Sequence, residues 1–118
     1  MSYERNHDKE RKTIMKNELD KIQEIIDAIK PLYEAANNDR KEKRALYHEA
    51  RTEARKALSK YLVKEATEVE LEAADKKLNS VGEEYEAACD KCYGLDDILT
   101  KLSESVEAIE NYICDYEG

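Results

Sequence analysis

The sequence predicts an all-α protein, an antiparallel four-helix bundle or a helical-hairpin coiled coil built from the same elements. Ala, Glu, Lys, Leu and Arg supply 62 of the 118 residues, the composition of long helices. Apolar residues recur at alternating intervals of three and four, the period of a helix seam. Capping boxes separate some of these periodic stretches. By length the chain is one domain, residues 1–118.

The first predicted helix covers about 5–36. Its seam is Met15, Leu19, Ile22, Ile26, Ile29, Tyr33 and Ala36, and Ile25, Ala28, Leu32 and Ala35 widen the stripe for several neighbours. Pro31 lies inside the pattern, where a missing donor and a crowded Asp27 carbonyl predict a kink or an end near Ile29. Asn37 and Asn38 suit a helix stop, and Asp39 with Glu42 suits a new cap. The second helix, about 40–65, has the small-residue seam Tyr47, Ala50, Ala54, Ala57 and Tyr61. Thr67 with Glu70 caps the third, about 68–93. From Leu71 the seam runs Ala74, Leu78, Val81, Tyr85, Ala88, Cys92, Leu95, Leu99, Leu102, Val106, Ile109, Ile113 and Tyr116 without a slip. A single long helix fits that run. Gly94 as a stop and Asp96 as a cap instead predict a tight turn at 93–96 and a fourth helix over 97–117.

Only 22 residues are Leu, Ile or Val, and Phe and Trp are absent, so the core is thin and stability modest or partner-dependent. No apolar run is long enough to span a membrane. The opening "MSYERNHDKERK" has no apolar core and is not a secretory signal. Three cysteines, an odd number, suit a reducing compartment, and a cytoplasmic location is expected.

Charge is distributed unevenly. Residues 1–64 carry 16 basic and 12 acidic side chains, and residues 65–118 carry 4 and 16, within a net charge of -8. Such asymmetry predicts either internal complementarity or an acidic face aimed at a basic partner. Outer positions of the last two predicted helices supply that face: Glu72, Glu83, Glu86, Asp90, Asp97, Glu104, Glu107 and Asp115. The second helix is basic, with Arg44, Arg51, Arg55, Lys56 and Lys60. Those cations can contact phosphates, which makes nucleic-acid binding an alternative, although a net negative field opposes it. Pairing with the acidic helices is the plainer expectation.

Cys89 and Cys92 stand in a C-x-x-C spacing within "ACDKCYGLDD". Cys92 falls on the seam, where cysteine acts as a small hydrophobe. Redox chemistry needs a stabilised thiolate, and the neighbouring Asp90, Asp96 and Asp97 oppose one. As metal ligands the pair supplies two of the four groups of a structural zinc site. Cys114 is too far along the helix to join them. Locally "CDKCYGLD" resembles the zinc hook of the DNA-repair coiled-coil ATPases, in which a C-x-x-C forms the apex between two coiled-coil arms. The resemblance implies one zinc held by Cys89 and Cys92 from two chains. It covers eight residues, has Asp90 where the hook carries proline, and is accompanied by no ATPase motif.

His7 in "ERNH" and His48 in "HEART" lack the second histidines of the di-iron and zinc-protease patterns they partly match, and both read as solvated. There is no phosphate loop, nucleophile elbow or paired carboxylate on an apolar face. The tyrosines on the seams read as core edges with wet hydroxyls. The sequence therefore points to a non-catalytic, protein-binding module with no required cofactor. The sharper expectation is a small acidic regulator or inhibitor that covers a basic, nucleic-acid-handling surface of another protein. In size and charge alone it resembles small phage-encoded inhibitors. The alternative is a structural module that forms a homodimer through its seams or through zinc.

Overall fold

A computed structural model describes residues 2–117, with side chains over 9–115. His7 and the Tyr116 side chain lie outside the described side chains. Two helices account for nearly all of the described chain: α1 (Ser2–Leu62, 61 residues) and α2 (Glu68–Glu117, 50 residues). Four helices were expected, and the two breaks that would make them are absent.

The first missing break is at Asn37–Asp39. The seam does not stop at Ala36: Arg40 and Lys43 occupy the next two inward positions and lead into Tyr47, so the three-four spacing runs unbroken from Met15 to Ala57. All of these seam positions are buried or half-buried. Long aliphatic stems let Arg40 and Lys43 cover the seam while their charges reach its edge. The Asn37 amide oxygen accepts from Arg40 Nε and Nη2 at 3.2 and 2.9 Å, so this asparagine serves a side chain and does not close a helix. Pro31 lies within α1 on its exposed side, so its ring and absent donor face away from the seam.

The second missing break is at 93–96. Gly94 is exposed, and no glycine among the described residues has positive φ, so it is an ordinary helical residue and not a C-terminal cap. Asp96 is interior to α2 rather than its start. An unbroken seam on both sides holds the helix through a residue of poor propensity.

Among the described residues the one reversal is at 63–67. Lys64 adopts φ 63°, Glu65 N–H donates to the Lys60 carbonyl at 2.8 Å, and Lys64 N–H donates to Tyr61 at 3.1 Å. These two bonds form a Schellman closure with lysine in the place glycine usually takes. Thr67 Oγ1 accepts from Glu70 N–H at 3.2 Å, the cap expected from the sequence, and Glu68 and Glu70 put negative charge in the first turn of α2.

The chain divides into two compact units. The turn unit runs from Glu34 to Gly94. Here α1 and α2 pack antiparallel, with Lys43 at 3.5 Å from Glu84, Lys77 at 3.0 Å from Glu53, and Cys92 against Asn37. This register sets Ala36 opposite Cys92, Ala50 opposite Leu78, and Ala57 opposite Leu71. Its buried residues are Ala36, Ala50, Ala54, Ala88 and Cys92, all small. The terminal unit comprises the described residues up to Tyr33 and those from Leu95 onward. Its inward positions carry larger groups, with Ile26 and Ile113 buried.

Candidate functional site

The turn unit gathers most of the chemistry. One layer brings Asn37 and Arg40 of α1 against Cys89, Cys92 and Tyr93 of α2. Cys89 is half-buried, and Cys92 is 2% exposed, its thiol donating to Asn37 Oδ1 at 3.8 Å. Burial works against the Arg40 charge, but hydrogen bonding to Cys92 and the fields of Cys92, Tyr93 and Cys89 outweigh it and raise its pKa above the ordinary arginine value. A hydrogen bond with Cys89, helped by desolvation, raises the Tyr85 hydroxyl above its ordinary value, against the opposing pull of Arg44 and Arg40.

The acidic neighbours of the C-x-x-C therefore tell half the story. A cation from the other helix faces both thiols, and sequence proximity could not disclose it. The available signal was an arginine at an inward seam position, 36 to 40 to 43 to 47.

The geometry places this pair elsewhere than the cysteines of a zinc hook. "CDKCYGLD" lies inside α2, whereas the apex of the hairpin is the turn at 63–67. Among the described residues, no group of three or more His, Cys, Asp or Glu is placed to hold a metal ion. Cys114 is exposed, and the exposed His48 side chain lies on the outer side of α1.

A second feature of the turn unit is a striped face. On α1, Lys41, Arg44, His48, Arg51 and Arg55 are all exposed and spaced three-four-three-four, which places them on one side of the helix. None of Lys41, Arg44, Arg51 or Arg55 makes an ion pair among the described residues. On α2, Glu72, Asp75, Asn79, Gly82, Glu86 and Cys89 repeat the same spacing. Between the stripes runs a shallow depression in two stretches that share Leu78: one beside Tyr47, Gly82 and Tyr85, the other beside Arg51, Arg55, Leu71 and Asp75. The Tyr47 and Tyr85 rings are tilted together at 5.6 Å. A β-carbon at Gly82 would stand 3.4 Å from the Tyr47 ring.

All eight carboxylates of the predicted acidic face are exposed. Glu72, Glu83, Glu86 and Asp90 belong to the turn unit, where a basic stretch of α1 lies alongside. None of these four carboxylates makes an ion pair among the described residues. Asp97, Glu104, Glu107 and Asp115 belong to the terminal unit. From Leu95 onward α2 has a single basic residue, Lys101, and it is bonded to Asp97 at 2.9 Å, which raises the Lys101 pKa above its ordinary value. Exposed apolar groups of the terminal unit include Ile25, Leu32 and Ile98, at 48, 58 and 45%.

The described helices include none long and apolar enough to cross a membrane. The chain matches no protein-family model, and comparison with curated proteins and with solved structures finds no similar chain.

Proposed function

We propose that the protein acts by non-catalytic protein binding, as a small acidic regulator or inhibitor whose α2 face covers a basic, nucleic-acid-handling surface of a partner protein. One observation supports the reading above others. Asp97, Glu104, Glu107 and Asp115 are exposed on a stretch of α2 whose only cation is already bonded to Asp97. Carboxylates fixed on a helix present charge at regular intervals, which suits a surface that otherwise receives phosphates. The exposed Ile98 in the same stretch offers an apolar anchor, and such anchors supply affinity where rim charges supply orientation and association rate.

The test has two stages. The partner is recovered on the wild-type chain from the cells that produce it, at low salt, and identified. Its nucleic-acid complex is then titrated with wild type and with an Asp97→Lys, Glu104→Lys, Glu107→Lys variant. Wild type displaces the nucleic acid, with an effect that weakens as salt rises. The triple variant does not. Equal binding by both, with equal salt dependence, contradicts the reading.

A further inference from the structure

We infer that the striped face of the turn unit is a self-interface, through which two copies of the chain pack and complete an antiparallel four-helix bundle. This goes beyond the function proposed above and uses different residues from Asp97, Glu104 and Glu107.

The first argument is charge. The α1 half of the face is cationic and the α2 half carries carboxylates. The register that pairs Lys43 with Glu84 and Lys77 with Glu53 also sets their heights. Lys41 and Arg44 stand level with Glu86, and Arg51 and Arg55 stand level with Asp75 and Glu72. A two-fold axis parallel to the helices lays α1 of one copy on α2 of the other. Each cation then meets a carboxylate at its own height, and the contact is made twice. Such a face is complementary to itself, which is the requirement for a closed two-fold interface. A polyanion meets the same carboxylates and is repelled by them, so the cationic stripe is not an open phosphate track.

The second argument is packing. The buried residues of the turn unit are four alanines and a cysteine, with no large side chain among them. Leu58 remains 47% exposed, and Leu71, Leu78 and Tyr47 are only half-covered. Two helices alone cannot enclose these groups, whereas four can. Gly82, at the middle of the face, carries no side chain, and the Tyr47 ring of α1 packs where one would stand, which keeps the depression between the stripes shallow.

Light scattering on the full chain, with sedimentation to obtain the dimer affinity, tests this. At low salt the expected mass is twice the 13.7 kDa of one chain, and the dimer dissociates as salt rises. Arg51→Glu with Arg55→Glu weakens dimerisation about tenfold or more, as does Glu72→Lys with Asp75→Lys. All four changes in one chain restore it, because the charges are exchanged rather than lost. Circular dichroism on each variant separates lost association from lost folding, and the restored quadruple variant is the second safeguard. A folded wild type that stays monomeric to about 1 mM overturns the proposal. So does a dimer indifferent to salt and to both double variants, or a dimer that the quadruple exchange fails to restore. A wild-type gel shift with duplex DNA or RNA that Arg51→Glu with Arg55→Glu abolishes also overturns it, since the stripe then serves a polyanion.

Discussion

The Cys92 thiol of α2 lies 3.8 Å from the Asn37 amide oxygen of α1, across 55 positions of sequence, and that oxygen also accepts two bonds from Arg40. This contact, with Lys43–Glu84 and Lys77–Glu53, fixes the antiparallel register of the turn unit. The register makes a direct prediction. In a Cys89→Ser, Cys114→Ser background, Asn37→Cys closes an intrachain disulfide with Cys92 on mild oxidation, seen as faster migration on a non-reducing gel. Thr52→Cys, on the exposed side of α1, does not. Equal crosslinking at both positions contradicts the register.

The turn makes a second prediction. Lys64 holds a left-handed φ of 63°, which costs a lysine about 1 kcal/mol and a glycine little. Lys64→Gly therefore raises stability by about 1 kcal/mol, and Lys64→Val lowers it. Thr67→Ala removes the cap on Glu70 N–H and lowers stability by about 1 kcal/mol. Urea melts check all three.

Pro31 supplies a third. It interrupts the hydrogen-bond ladder of a helix that continues past it to Leu62. Pro31→Ala restores one donor and relieves the clash, and raises stability by up to about 3 kcal/mol. A negligible change in the melt would mean that α1 ends before residue 31.

A fourth concerns Tyr85, whose hydroxyl is raised above its ordinary 10.0 chiefly by Cys89. An acid whose folded value is raised stabilises the fold fully below its unfolded value, and that contribution is lost as pH climbs through the folded value. Phenolate absorbance shows Tyr85 ionising above the ordinary tyrosine range, and Cys89→Ala moves it back down. The wild-type advantage over Cys89→Ala that comes from this bond fades above pH 10 rather than below it.

Much of this architecture was readable from residue order, and the misses share one cause. The seam from Leu71 to Ile113 and the Thr67 cap stand where periodicity and capping chemistry put them. Asn37–Asp39 and Gly94 carry the local chemistry of a helix stop, and Pro31 that of a kink or an early end. In the fold, a continuous buried seam outweighs those preferences, each a small cost against many packed layers. Arg40 and Lys43 concealed the continuity, since a search for apolar residues skips charged ones at inward positions. The acidic positions were legible as exposed, since they lie on outer helix positions. The cation facing Cys89 and Cys92 was not, because only the antiparallel register brings Arg40 to them.

The central structural claim is that α2 is one helix through 93–96, which leaves the apex of the hairpin at 63–67 and the C-x-x-C on a helix flank. The thermal and urea melts of Gly94→Ala test it most directly. Gly94 is exposed, lacks positive φ, and an added β-carbon meets nothing within 4 Å. Alanine at a helical site is favoured over glycine, so the variant gains about 1 kcal/mol. A loss of about 1 kcal/mol or more would place Gly94 in a left-handed turn, break α2 in two, and return Cys89 and Cys92 to the end of a helix.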